Sequence, residues 1–164
     1  MTWKLKNGQP VVVRPIRVED ESMMLELFRS FSSDTVRYRF FHIICDMPHE
    51  ELVRYCSIDF VAELAFVAEI EERGRKQLIG VVRLCLEQKD KTGEFAVVIA
   101  DRWQKQGLGR RLVEYIIDIS KSKKMKSIYG IILSDNVRMI RLVKSLGFQI
   151  KSLGDGTIRA TLSF

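Results

Sequence analysis

No apolar run in this sequence approaches the ~18 residues that a membrane-spanning helix requires. The opening residues, Met1-Thr2-Trp3-Lys4-Leu5-Lys6, lack the apolar core of a secretory leader. Both absences lead us to expect a cytoplasmic protein with no membrane partner. Cysteine is scarce: Cys45, Cys56 and Cys85 are odd in number and widely spaced, and no Cys-x-x-Cys occurs. The two histidines, His42 and His49, complete no zinc pattern, so no metal site is expected. Histidine base chemistry is confined to those two early positions, and sequence places neither beside a cysteine. Repeats, linkers and low-complexity stretches are also missing. What is present is a chain of 164 residues, 46% apolar and 29% charged. That length buries roughly two-thirds of its unfolded surface without staples, so residues 1–164 read as a single domain.

The net charge of +6 is unevenly spread. Residues 1–82 hold 11 basic and 13 acidic side chains, whereas residues 83–164 hold 16 and 8. Residues 102–144 alone carry 11 basic and 3 acidic ones. A cationic stretch confined to about forty residues points to a local polyanion site rather than general basicity. It has no aromatic-interleaved basic pattern, so no nucleic-acid partner is expected.

Hydrophobic periodicity predicts the order β-α-α-α-β-β-β-α-β-α-β-β, a mixed α/β domain. Val11 to Ile16 reads as a first strand. Asp20 is the expected N-cap of a helix reaching Phe31, Ser32 or Ser33 caps a second helix through Phe41, and Pro48 opens a third. Residues 63–71 and 77–88 form a hairpin around a polar turn. Residues 93–100 read as a strand buried on both faces. A helix over 105–124, a strand over 127–133, a helix opening at Ser134-Asp135-Asn136 and ending at Gly147, and a closing hairpin at Asp155-Gly156 complete the pattern.

The most informative segment is Gln104-Lys105-Gln106-Gly107-Leu108-Gly109-Arg110, between a buried strand and an amphipathic helix. Its glycines permit tight turning and close approach of a ligand. The helix start offers unpaired N–H groups and a positive dipole end, which suits a pyrophosphate. It is neither a P-loop, lacking Gly-Lys-Ser/Thr, nor a full dinucleotide fingerprint, lacking the third glycine.

Gln104-x-x-Gly107-x-Gly109 resembles the Q/R-x-x-G-x-G/A acyl-CoA signature of the GNAT N-acetyltransferase superfamily. Asn136, Met139, Leu142, Gly147 and Phe148 fit that family's second motif at the right distance. Arg37-Tyr38-Arg39-Phe40-Phe41-His42, the strand Phe95 to Asp101 and Leu133-Ser134-Asp135-Asn136 look like the acyltransferase domain of bacterial protein-lysine acetyltransferases. The resemblance implies a three-layer α/β/α fold with two splayed central strands and acetyl-CoA as cofactor. It implies that backbone groups of Val98, Ile99 and Ala100 pair with the pantetheine arm. It implies cofactor contacts at Gln104, Lys105, Gln106, Gly107, Leu108, Gly109, Arg110, Asn136 and Met139. It also implies a protein lysine as acceptor, and an acyl-CoA-synthetase-like or regulatory domain as fusion or partner.

A lysine amine, with a pKa of about 10.4, is neutral in roughly one side chain per thousand near pH 7.4, so a base is expected. Glu94 matches the family's catalytic glutamate. Glu69 and Asp135 are runners-up, Asp135 reading first as a helix cap. The family's usual proton-donating tyrosine is replaced by Val143, which leaves Tyr115, Tyr129, water or no acid at all. Arg37 to Phe41 are candidates for the acceptor border. Lys121, Lys123, Lys124 and Lys126 read as a solvated helix end, with the cofactor 3′-phosphate as the alternative partner. Competing functions are a small-molecule amine acetyltransferase and a non-catalytic acyl-CoA sensor, which needs the glycines but no base.

Overall fold

The computed structural model describes residues 1–42 and 44–164. Among them, eight strands form one sheet: β1 (Thr2–Lys4), β2 (Pro10–Pro15), β3 (Glu63–Glu72), β4 (Arg75–Glu87), β5 (Thr92–Ile99), β6 (Ser127–Leu133), β7 (Gln149–Ser152) and β8 (Thr157–Ser163). The helices are α1 (Glu21–Arg29), α2 (Ser33–Phe40), α3 (His49–Cys56), α4 (Leu108–Ser122) and α5 (Val137–Ser145). Across the sheet the order is β1-β2-β3-β4-β5-β6-β8-β7, antiparallel throughout except between β5 and β6.

Successive strand residues point to opposite faces, so Gly80 and Val81 of β4 mark the two sides. A Cβ on Gly80 would meet Leu108 of α4 at 3.6 Å. Val81 instead lines a small apolar cavity with Leu27 and Phe28 of α1 and Leu52 of α3. Thus α1 and α3 cover one face and α4 the other. Helix α5 lies beside α4, where Arg110 Nη1 donates to Ser145 Oγ at 3.0 Å. The three-layer arrangement follows, with the core on both faces of β3 and β4, whose residues 64–70 and 78–84 are buried.

Several element ends differ from the periodicity. Strand β1 is too short to show alternation, yet it pairs with β2, placing Trp3 opposite Val11. Helix α4 starts at Leu108 rather than residue 105 because Lys105 (φ 63°) and Gly107 (φ 85°) adopt left-handed backbone. Asp20 makes no side-chain cap on α1. Its carboxylate accepts the Arg17 amide at 2.8 Å and the Arg14 guanidinium at 2.8 Å through each oxygen. Burial pushes the Asp20 carboxyl upward, but the Arg14 and Arg17 hydrogen bonds and the positive charges of both side chains together outweigh it and hold the group below its ordinary range. Ser32 caps α2 as expected, accepting from the Thr35 amide at 3.2 Å.

Candidate active site

The site is built where β5 and β6 part. Their parallel ladder holds only at Thr92–Ser127, Gly93–Ile128 and Glu94–Tyr129. Past that vertex, β5 remains paired with β4 up to Ile99 and β6 with β8 up to Leu133. A wedge therefore opens between the two halves of the sheet. At its start the Phe95 ring lies against Gly130, 2.8 Å from where a Cβ would stand.

The splay is as expected, but the backbone groups facing it are not those anticipated. Ala100 donates its amide to Ile79 O at 2.8 Å. Neighbouring residues direct their backbone groups to alternate edges, so Val98 and Ala100 face β4. Val97 and Ile99 face the wedge. The Ile99 carbonyl accepts from Gln104 Nε2 at 3.0 Å, which leaves its N–H and both Val97 groups on that edge. Sequence gives the strand but not the phase of its hydrogen bonding.

At the wide mouth, Gly107 precedes α4, and the Arg111 amide is the first to bond back, to Gly107 O at 3.2 Å. The amides of Leu108, Gly109 and Arg110 precede any intrahelical partner. A Cβ on Gly109 would lie 3.7 Å from Ile99 Cγ1, which brings this turn against the end of β5. Gln106 is tied to the β1–β2 turn, its Oε1 accepting from Asn7 N at 3.2 Å and its carbonyl from Lys6 N at 3.3 Å. Lys6 thereby hangs over the loop, its Cε 3.7 Å from the Cβ position of Gly107. The motif did not point to that cation, because a chain reversal a hundred residues upstream supplies it. Lys105 is exposed. Arg110 is engaged by Glu114 at 2.9 Å and by Ser145.

Gln104 acts as a strut more than as an open ligand. Beyond Ile99 O, its Nε2 donates to Thr35 Oγ1 at 3.2 Å, and its Oε1 accepts from Arg138 Nη1 at 2.6 Å. Arg138 stands in the first turn of α5, so this contact bridges the two arms of the wedge. Asn136 caps α5, its Oδ1 accepting from the Met139 amide at 3.2 Å. The Met139 side chain packs on the core. The lysine run lies at the far end of α4 from these groups. Fifteen helical residues span about 22 Å, which places it away from the cradle and removes the 3′-phosphate alternative.

At the vertex, register sets a row of side chains on the α1–α3 face: Glu63, Cys85, Glu94, Tyr129 and Thr161, each opposite the next. Glu94 is exposed, and Tyr129 Oη donates to its Oε2 at 3.4 Å. The runners-up lie elsewhere. Glu69 is buried, held by Arg14 at 2.7 Å and Lys76 at 3.4 Å. Asp135 does not cap α5, since Asn136 does; its carboxylate pairs with Arg37 at 3.0 Å. Tyr115 packs edge-on to Trp3 and Phe66, within the α4 layer. Helix α2 borders the acceptor side through Arg37, while Arg39 and Phe40 line the apolar cavity with Val98 and Tyr55. Burial pushes the Arg39 guanidinium below its ordinary range.

Residues 24–148 match the model of the acetyltransferase (GNAT) family. The chain belongs to that family. It is 30% identical over 144 residues to Acetyltransferase PA5475 of Pseudomonas aeruginosa, covering 88% of this chain and 77% of that protein. In structure it resembles the GNAT domain of S. lividans PAT, with a TM-score of 0.89 at 23% identity, over 100% of this chain and 96% of that one. It also resembles spermidine N-acetyltransferase from Vibrio cholerae in complex with CoA and spermine, with a TM-score of 0.75 at 22% identity, over 93% and 95% of the two chains. As a GNAT enzyme, the chain is an acetyl-CoA-dependent N-acetyltransferase. The donor set fits the cofactor: orphan amides at the α4 start, Lys6 and Lys105 around them, and an unpaired β5 edge leading to the vertex.

Proposed function

We propose that the acceptor is a protein lysine side chain and that Glu94 is the base that frees its amine. The chemistry of the acceptor face carries the first half. A polyamine calls for several free carboxylates around its ammonium groups. Here Glu63 is taken by Arg83 at 2.7 Å and Asp135 by Arg37 at 3.0 Å. Arg39 and Arg159 have no carboxylate within salt-bridge reach among the described residues. Apolar side chains stand exposed at the border: Phe41 at the end of α2, and Phe60 and Val61 just before the contact between Leu86 N and Ala62 O. An open face with an apolar border, its Glu63 and Asp135 carboxylates already paired and Arg159 without a carboxylate partner, suits a polypeptide carrying the lysine among neutral or acidic neighbours.

Glu94 supports the second half by position. It is the last β5 residue of the ladder, so the unpaired edge along which the acyl arm would lie ends beside its carboxylate. Acetyl-CoA supplies an activated acetyl thioester when bound. Leu108, Gly109 and Arg110 amides would hold its phosphates, and the Val97 and Ile99 backbone would orient its amide-bearing arm. Glu94 takes a proton from the acceptor nitrogen, which attacks only when neutral. The partner proposal, an acyl-CoA-synthetase-like or regulatory domain, rests on the sequence resemblance. The cytoplasmic setting rests on three free cysteines.

The test presents isotope-labelled acetyl-CoA with spermidine, with lysine peptides of acidic and basic flanks, and with a cognate-cell lysate. Mass spectrometry should find label on protein lysines, with a higher kcat/KM for acid-flanked peptides than for spermidine. Faster acetylation of spermidine overturns the protein-lysine reading.

A further inference from the structure

Val143 is fully buried at the position where a proton-donating tyrosine would be sought, so that position offers no hydroxyl to the wedge. Tyr115 lies within the α4 layer. A different tyrosine stands at the vertex. Tyr129 is the β6 partner of Glu94, and its Oη lies 3.4 Å from Glu94 Oε2. Its ring is covered by Arg159 of β8, whose guanidinium carbon lies 3.6 Å from the ring centroid. That contact fixes the ring plane and directs the hydroxyl toward the seam.

We propose that Tyr129 donates the proton taken up by the departing sulfur, and that Arg159 is the positioning residue that holds its ring. The inference rests on the N-acetyl transfer described above and on Glu94 as base. The proton balance closes within two side chains. Once the ammonium proton that Glu94 first takes up has passed to solvent, Glu94 gains the second proton, which the amine nitrogen loses on acylation, and Tyr129 Oη gives one to sulfur. The hydrogen bond between them then returns the proton from Glu94 to the phenolate. One proton has moved from nitrogen to sulfur, and both side chains are restored.

The charged groups facing Tyr129 agree with a donor that stays protonated. Burial, Glu94 of β5 and Glu87 of β4 push its hydroxyl above the ordinary tyrosine range, and only Arg159 of β8 pulls it back. The sign follows: Tyr129 is protonated throughout the neutral range and loses its proton only at high pH.

The experiment compares wild type with Tyr129→Phe, which keeps the ring that Arg159 stacks on, and with Arg159→Met. One readout involves no turnover: the thiol of bound CoA is titrated by its ultraviolet thiolate absorbance. A hydroxyl that hydrogen-bonds the sulfur favours the thiolate, so Tyr129→Phe should raise the bound thiol pKa by about one unit. CoA affinity should be nearly unchanged. Arg159→Met should shift the titration the same way by less. In turnover, Tyr129→Phe should lower kcat on the order of 100-fold and KM little. An unchanged thiol titration in a folded Tyr129→Phe protein overturns the assignment. A shifted titration in a protein whose wild type acetylates no tested amine upholds the Tyr129 contact and overturns the acceptor reading alone.

Discussion

The two ends of the wedge are made in opposite ways. The mouth is local: one continuous segment, Gln104 to Arg110, turns at Gly107 and delivers three amides to one point. The vertex is assembled from strands that are distant in the chain. Glu94, Tyr129 and Arg159 meet because β5, β6 and β8 adopt one register. The amide cradle is thus encoded in a segment of seven residues, and the proton chemistry in a seam held by three residue pairs. Damage at one end should leave the other largely intact, and three substitutions probe that separation.

The largest effect is expected from Glu94→Gln, which removes the base but keeps the shape. Turnover at neutral pH should fall by about 10² to 10⁴, while acetyl-CoA affinity, measured by calorimetry, stays within a few-fold. Unchanged turnover would remove Glu94 from the reaction. Gly107→Val attacks the mouth. Gly107 has φ 85° and only Lys6 Cε, in ordinary van der Waals contact at 3.7 Å, near its Cβ position, so the penalty is backbone strain of about 1–2 kcal/mol rather than a clash. Acetyl-CoA binding should weaken by roughly tenfold or more as the amides turn away, an effect of about 1.4 kcal/mol. The kcat at saturating acetyl-CoA should hold; a loss of kcat without loss of affinity would break the distinction between the ends.

The smallest effect is expected from Asp101→Asn, which touches the strut between them. The Asp101 carboxylate accepts from Ser32 N at 3.0 Å, Ser32 Oγ at 2.6 Å and Thr35 Oγ1 at 3.1 Å, tying α2 to the turn after β5. Burial pushes this carboxyl up, but the Ser32 and Thr35 hydrogen bonds outweigh it and hold it below its ordinary range. A depressed carboxyl contributes stability that is present above its unfolded pKa, about 3.9, and is lost as pH falls through the lower folded value. Asp101→Asn should lower stability by about 1 kcal/mol near neutrality and flatten that acid limb. Denaturant unfolding at pH 7 and near pH 3 reads both, and an unaltered acid limb would count against the strut.

Much of this was legible in the residues. Gly107 and Gly109 beside an amphipathic helix announce an anion cradle, and Asn136 announces a cap, because both follow from chemistry within one turn of chain. Less local facts were not. The phase of β5, which turns Ala100 toward β4 and Val97 toward the wedge, depends on pairing with Ile79. Asp20 looks like a helix cap until Arg14 is seen to claim it. Lys6 reaches the cradle only because Gln106 is tied to the β1–β2 turn. Tyr129 carries no motif at all.

The sequence alone therefore determined the element order from β2 onward, the anion-binding turn and the family resemblance, since periodicity, glycine conformation and helix-end chemistry act over a few residues. Tertiary structure alone decided which backbone groups face the wedge, which carboxylates are free, and that a tyrosine stands beside Glu94. Those depend on register, and register is set by strands that meet only after the chain has folded.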